Sequence, residues 1–391
     1  MTEGLANREH ALSRLGAEPH QIEELLRYNE NHFRVDAGDI LRWPLPDEPF
    51  VAAWRQYAQE VEDAGSIITL RRHLVQFNFP IEEGISKSAA YIAATRNGSA
   101  LPDDGSAGGL RFAKPEGCRV FLHETLAGHI PVLVAEVRQD FVSLVRALTG
   151  RNEPIQVPDS KGAAMISGYN NWSRIRQLRQ SFESRRNKEH DWAREFEIIK
   201  ARPQLYQDRF ILLSSGAYSG VQAADMGMED QEWKRLSLIV RLEHESTHYV
   251  TRRCFQSMRN NLLDELIADF YGIHAASGRF RADWFLRFLG LEAHPSYRPG
   301  GRLQNYRGEP RLSDGAFRIL QELIVRAVYN LEAFDRSQEP DLKDSKTKAA
   351  MLHTLASLTV EEMAGEAGER ILTTTFAAAR EPGSRALQVP A

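Results

Sequence analysis

The stretch Arg241-Leu242-Glu243-His244-Glu245-Ser246-Thr247-His248-Tyr249-Val250-Thr251 carries the pattern H-E-x-x-H. The residues before it, Trp233, Leu236 and Val240, recur at helical intervals. On a helix, residues four apart lie one above the other, so His244 and His248 can aim ring nitrogens at a single metal ion. Glu245 is rotated about 100° from His244, which sets its carboxylate beside that ion and not on it. A base that takes a proton from metal-activated water belongs in that position.

Two imidazoles leave the site incomplete, because a catalytic zinc takes three protein ligands and keeps a fourth position open. The next helical stretch, Asn261-Leu262-Leu263-Asp264-Glu265-Leu266-Ile267-Ala268-Asp269-Phe270-Tyr271-Gly272, supplies the third ligand in Glu265. Glu265 follows His248 by 17 residues, enough chain to end one helix, turn and return antiparallel. Asn261 is expected to cap the second helix, with Asp264 three residues later as its reciprocal partner. Asp269 falls one turn beyond Glu265 on the same face. There it can accept from the nitrogen that a ligand histidine turns away from the metal.

The run His244–Thr251 followed by Asp264–Gly272 resembles the thermolysin-like gluzincin metallopeptidases. The resemblance covers about residues 244–272. It implies a zincin-like core in which His244, His248 and Glu265 bind zinc, Glu245 is the general base, and Asp269 partners a ligand histidine. It also implies an oxyanion donor from the chain downstream. The loop from His294 to Arg307 offers His294, Tyr297, Arg298, Arg302 and Tyr306, among which Tyr297 and His294 are the expected catalytic partners of Glu245. The implied activity is zinc-dependent hydrolysis of a peptide or amide bond, with a peptide or small amide as substrate.

The same two-histidine, one-carboxylate set is the facial triad of non-haem Fe(II) oxygenases, so Fe2+ is the alternative metal and a peptide- or metabolite-tailoring oxygenase the alternative enzyme. Glu245 argues against that reading, since an oxygenase has no evident use for a base beside its first ligand. A non-catalytic metal-bearing module is a further alternative.

The rest of the chain frames this core. The first residues read as helix from Ala11 to Tyr28, interrupted at Pro19. Amphipathic pieces follow at residues 50–64 and 67–77. Beyond a Gly-rich loop at residues 98–109, Arg119–Leu122 and Ile130–Val134 read as buried strands, Asp140–Leu148 as a helix, and Phe210–Leu213 as a further strand. The segment Ser214–Tyr218 is expected to be an edge strand that could bind a peptide by β-addition. Residues 172–202 carry many arginines, but interspersed acids can pair with them at helical spacing, which favours a solvated face. Beyond Gly227 the chain reads as helices at about 229–257, 262–276, 282–289, 315–334, 345–356 and 360–379. Thr359 with Glu362 forms a capping box at the start of the last one.

The expected fold is therefore α+β, with an N-terminal α+β lobe (1–160), a zincin-like catalytic core (161–290) and a mainly helical C-terminal lobe (291–391). A length of 391 residues is ample for two lobes. A net charge of −4 provides no basic field for nucleic acid or an anionic membrane. Two cysteines exclude a disulfide scaffold, and no apolar run approaches the ~18 residues of a membrane span. The opening residues show no secretion signal, so a soluble cytoplasmic protein is expected.

Overall fold

A computed structural model describes residues 3–36, 38–99, 108–184, 191–258 and 260–381. The protein is α+β: the described residues form fifteen α-helices and one four-stranded mixed sheet. In chain order these begin with α1 (Glu3–Arg14), α2 (Pro19–Tyr28), α3 (Val51–Ala64), α4 (Ser66–His73) and α5 (Ala89–Arg96). The hairpin β1 (Cys118–Thr125) and β2 (Gly128–Ala135) follows, then α6 (Arg138–Leu148), β3 (Ala163–Asn170), α7 (Trp172–Ser184), α8 (Trp192–Lys200) and β4 (Gln207–Ser214). The remainder is helical: α9 (Asp230–Phe255), α10 (Asn261–Ser277), α11 (Ala282–Leu289), α12 (Asp314–Gln338), α13 (Ser345–Ser357), α14 (Val360–Ala364) and α15 (Gly368–Arg380).

The chain divides into two compact units, Pro46–Gly216 and a discontinuous unit of Met1–Leu45 with Ala217–Ala391. This differs from three consecutive lobes with boundaries at 160 and 290. The reason lies in partners distant in sequence. Helices α1 and α2 pack on α14 and α12, and the Arg8 guanidinium lies 3.2 Å from the Glu361 carboxylate, which also accepts from Asn29 at 3.1 Å. The first helices therefore belong with the last ones.

Within the unit Pro46–Gly216 the strand order is β1-β2-β4-β3. β1 and β2 form an antiparallel hairpin closed across Thr125 and Gly128; β4 runs parallel to β2 and antiparallel to β3. The central strands are buried along nearly their whole length, while β1 and β3 are partly exposed. That burial is why Ile130–Ala135 and Phe210–Leu213 read as unbroken apolar runs. It also corrects the expected edge strand, since β4 pairs on both sides and the chain leaves the sheet after Ser214. β3 was not legible in the sequence, because Gly162, Gly168 and Asn170 read as loop.

The basic stretch behaves as a solvated face with internal pairs, Arg179–Glu183 at 2.7 Å and Lys200–Glu197 at 2.5 Å. Arg174 is different, for it is buried against Asp208. Arg185, Arg186 and Lys188 lie outside the described residues, as do most of the 98–109 loop and the tail after Glu381.

In the other unit, α9 and α10 form the most extensively packed pair. Gly272 permits their close approach, because a Cβ there would stand 2.7 Å from the Val240 carbonyl oxygen. The Thr359–Glu362 capping box is present. The helix expected over 360–379 is broken between α14 and α15, where Asn330 donates to the freed carbonyls of Met363 and Gly365 at 2.8 and 3.0 Å. The cap expected at Asn261 is also displaced. Asn260 holds the cap position, and the Asn261 side chain instead donates 2.7 Å to the Tyr28 carbonyl, so a tertiary partner outcompetes the local one. No helix among the described residues is long and apolar enough to cross a membrane.

Candidate metal centre

The α9–α10 pair places His244, His248 and Glu265 so that one ligand atom from each lies within 4.8 Å of the others. The two Nε2 atoms are 3.1 Å apart. Glu265 straddles them, with Oε2 3.6 Å from His244 Nε2 and Oε1 3.6 Å from His248 Nε2. Metal bonds of ~2.0–2.2 Å at tetrahedral angles separate ligand atoms by about 3.2–3.6 Å, so the three fit a zinc-sized ion. Both histidines are buried, and Glu265 is slightly exposed, at 16% of its side chain.

The far nitrogen of each imidazole faces a carboxylate. His244 Nδ1 lies 2.7 Å from Asp269 Oδ1, and His248 Nδ1 lies 3.5 Å from Asp264 Oδ2. With the ring protons held on that side, the Nε2 lone pairs converge on each other and on Glu265, an arrangement that calls for a cation. The electrostatics agree. Burial alone would lower His248, but the carboxylates of Asp264, Glu265 and Glu245 outweigh it and pull the imidazole up to about 10. For Glu265, burial opposes ionisation, yet His244, His248 and Arg302 hold it below the ordinary carboxylate value. The donor set therefore fits a divalent ion that replaces the attracted proton.

Asp269 is embedded in a network. It accepts from Tyr218 at 2.6 Å and is paired with Arg302, which also donates 2.8 Å to the Tyr218 hydroxyl. Burial is outweighed by Arg302 and His244, so Asp269 is held at about 2. Tyr306 donates 2.7 Å to Glu265 Oε2, and its own carbonyl accepts 2.5 Å from the Tyr28 hydroxyl. Glu245 is half-buried, near enough to His248 to act on its charge, and no hydrogen bond reaches its carboxylate among the described residues.

The structure thus brings His244, His248, Glu265 and Asp269 together. Two expected catalytic residues lie apart. The Tyr297 hydroxyl donates 2.6 Å to the Gly301 carbonyl, and the His294 ring lies 3.5 Å from Glu322 of α12; neither bonds to the centre. From the same loop it is Arg302 and Tyr306 that reach the site, because the 3-10 turn Arg302–Tyr306 carries both side chains. Sequence spacing missed Tyr218 and the role of Asp264. Tyr218 starts a 3-10 turn after β4, and no local pattern ties it to a histidine 26 residues on.

Fold and site together define an α+β protein with a two-histidine, one-carboxylate cluster between antiparallel helices. The chain belongs to a family of unknown function (DUF7005), whose profile matches residues 10–367. No curated protein and no solved structure matches it.

Proposed function

We propose that this protein is a zinc-dependent metallohydrolase with a zincin-like core that cleaves a peptide or amide bond. The observation that carries the reading is the convergence of His244, His248 and Glu265 beside an unpartnered Glu245. A zinc ion at this centre would polarise a carbonyl and acidify a bound water. Glu245 accepts the proton released by that water and returns it to the leaving amine. Tyr306, whose hydroxyl is already within 2.7 Å of Glu265, replaces Tyr297 and His294 as the donor for the developing oxyanion. Arg302 is neutralised by Asp269 and serves to hold that carboxylate ionised.

The test is metal content by inductively coupled plasma mass spectrometry on protein purified without affinity metal or chelator. Zinc near one equivalent per chain, lost in His248→Ala, supports the hydrolase and leads to a peptide-library screen. Iron in its place, with oxygen consumption, would establish the oxygenase instead. Absence of metal in the wild type would remove both readings.

A further inference from the structure

Three helices of the unit Pro46–Gly216 bring together a second constellation of chemistry-bearing side chains, apart from the metal ligands. Ser173 Oγ on α7 lies 3.0 Å from His73 Nδ1 on α4, and His73 Nε2 lies 2.9 Å from Glu60 Oε2 on α3. A carboxylate accepts, so Glu60 assigns the ring proton to Nε2 and leaves the Nδ1 lone pair facing the serine hydroxyl. This is the relay of a nucleophile, a base and an orienting acid, with the two ring nitrogens exchanged relative to the familiar serine-hydrolase order. The exchange keeps the chemistry, because either nitrogen can act as the base once the other is bound to the acid.

Two further features suit nucleophilic attack. The Tyr57 ring stacks on His73 with centroids 3.7 Å apart and 17° between planes, which fixes the imidazole orientation. Ser173 stands in the first turn of the 13-residue helix α7. Asn171 Oδ1 accepts from the backbone N–H of Arg174 at 3.2 Å. The N–H groups of Trp172 and Ser173 have no acceptor among the described residues, and a helix N-terminus favours a developing oxyanion. The cluster opens to solvent on one side, with the His73 and Glu60 side chains 13% and 40% exposed, while Ser173 is 8% exposed.

We infer that Ser173, His73 and Glu60 form a second reactive site, independent of the metal centre, that takes a small acyl ester. Ser173 Oγ bonds to the acyl carbon as its proton passes to His73 Nδ1. The ester C–O bond then breaks, and the leaving alkoxide takes that proton. Water repeats the sequence: its proton goes to His73, its oxygen bonds to the acyl carbon, and Ser173 regains a proton as the acid departs. Glu60 is a positioning residue, since it acts through His73.

The experiment treats the full chain with a fluorophosphonate–biotin probe and maps adducts by tandem mass spectrometry. In the labelling step the Oγ–P bond forms, fluoride leaves, and the serine proton passes through His73 to water. Expected are an adduct on Ser173, none in Ser173→Ala, and a labelling rate at least ~100-fold lower in His73→Gln. Labelling of Ser173 in His248→Ala, or after chelation, keeps its wild-type rate, so this inference and the metal reading fail separately. Glu60→Gln should lower the labelling rate and Glu60→Asp should restore part of it, because a carboxylate is what holds the ring proton on Nε2. An unmodified Ser173 in the folded wild-type chain overturns the proposal without recourse to any variant. So does equal labelling of wild type and a His73→Gln protein of native near-ultraviolet circular dichroism. A wild-type labelling rate in Glu60→Gln overturns the role of Glu60.

Discussion

His244 and His248 sit one turn apart on α9 and face the same point, yet their outer nitrogens are held in very different ways. His244 Nδ1 is 2.7 Å from Asp269, a carboxylate itself gripped by Tyr218 and Arg302. His248 Nδ1 is 3.5 Å from Asp264, whose other oxygen is 3.4 Å from the Thr251 hydroxyl. One ligand is fixed in orientation and tautomer by a charged network; the other faces its partner at a length where a hydrogen bond is weak. The comparison teaches that a site of this kind can be organised from one side, with one histidine held rigidly and its neighbour left free to adjust to an ion that binds there.

The largest effect tests whether binding and catalysis are separate in this arrangement. Glu245→Gln should lower hydrolysis by ~10²–10⁴-fold while metal content stays at the wild-type level. Loss of metal in that variant would show that Glu245 belongs to the ligand set, and the comparison of two ligands would need a third. Next, Asp269→Asn should weaken zinc affinity by ~10–100-fold in a competition titration with a chromophoric chelator. Asp264→Asn should weaken it by less than that. Equal losses would dissolve the distinction between the rigid and the adjustable histidine. Tyr218→Phe removes one donor to Asp269 but leaves Arg302, so a loss smaller than that of Asp269→Asn is expected in the same titration.

The smallest effect concerns a third buried carboxylate that lacks such a network. Asp335 accepts 2.8 Å from the Phe280 backbone N–H, and its Oδ1 has no hydrogen-bond donor among the described residues, the His274 ring standing 3.8 Å away. Burial pushes it from 3.8 up to about 6, against the pull of that hydrogen bond. The folded value is raised, so the stabilising contribution of this group is complete below about pH 3.8 and is lost as pH rises through about 6. Asp335→Asn keeps the acceptor without the charge. It should raise Tm by a few degrees at a pH near 8, and the gain should vanish near pH 4. A gain of the same size at both pH values would mean that charge is not the cause. Asp269 is the opposite case, held ionised by an arginine and a histidine in an equally buried place.

Much of the candidate centre's geometry was readable from residue order. H-E-x-x-H requires only a helix to bring His244 and His248 together, and a 17-residue return is long enough to bring Glu265 and Asp269 back on a second helix. The helices after Gly227 were legible for the same reason, since 3.6-residue periodicity is local, apart from the break between α14 and α15. Strand β3 was hidden because Gly168 and Asn170, with Gly162 just before it, mimic a loop and its burial is only partial.

The sequence alone thus determined α9, α10 and the face on which each candidate ligand sits, because helical spacing converts position directly into direction. The tertiary structure alone decided which loop residues complete the site. Arg302 and Tyr306 reach it and His294 and Tyr297 do not, since a loop has no fixed period and its side chains point where packing sends them. Tertiary structure also decided that Tyr28 and Tyr218, far from α10 in sequence, brace the residues around the centre. Those contacts depend on chain closure over long separations, which no short-range pattern encodes.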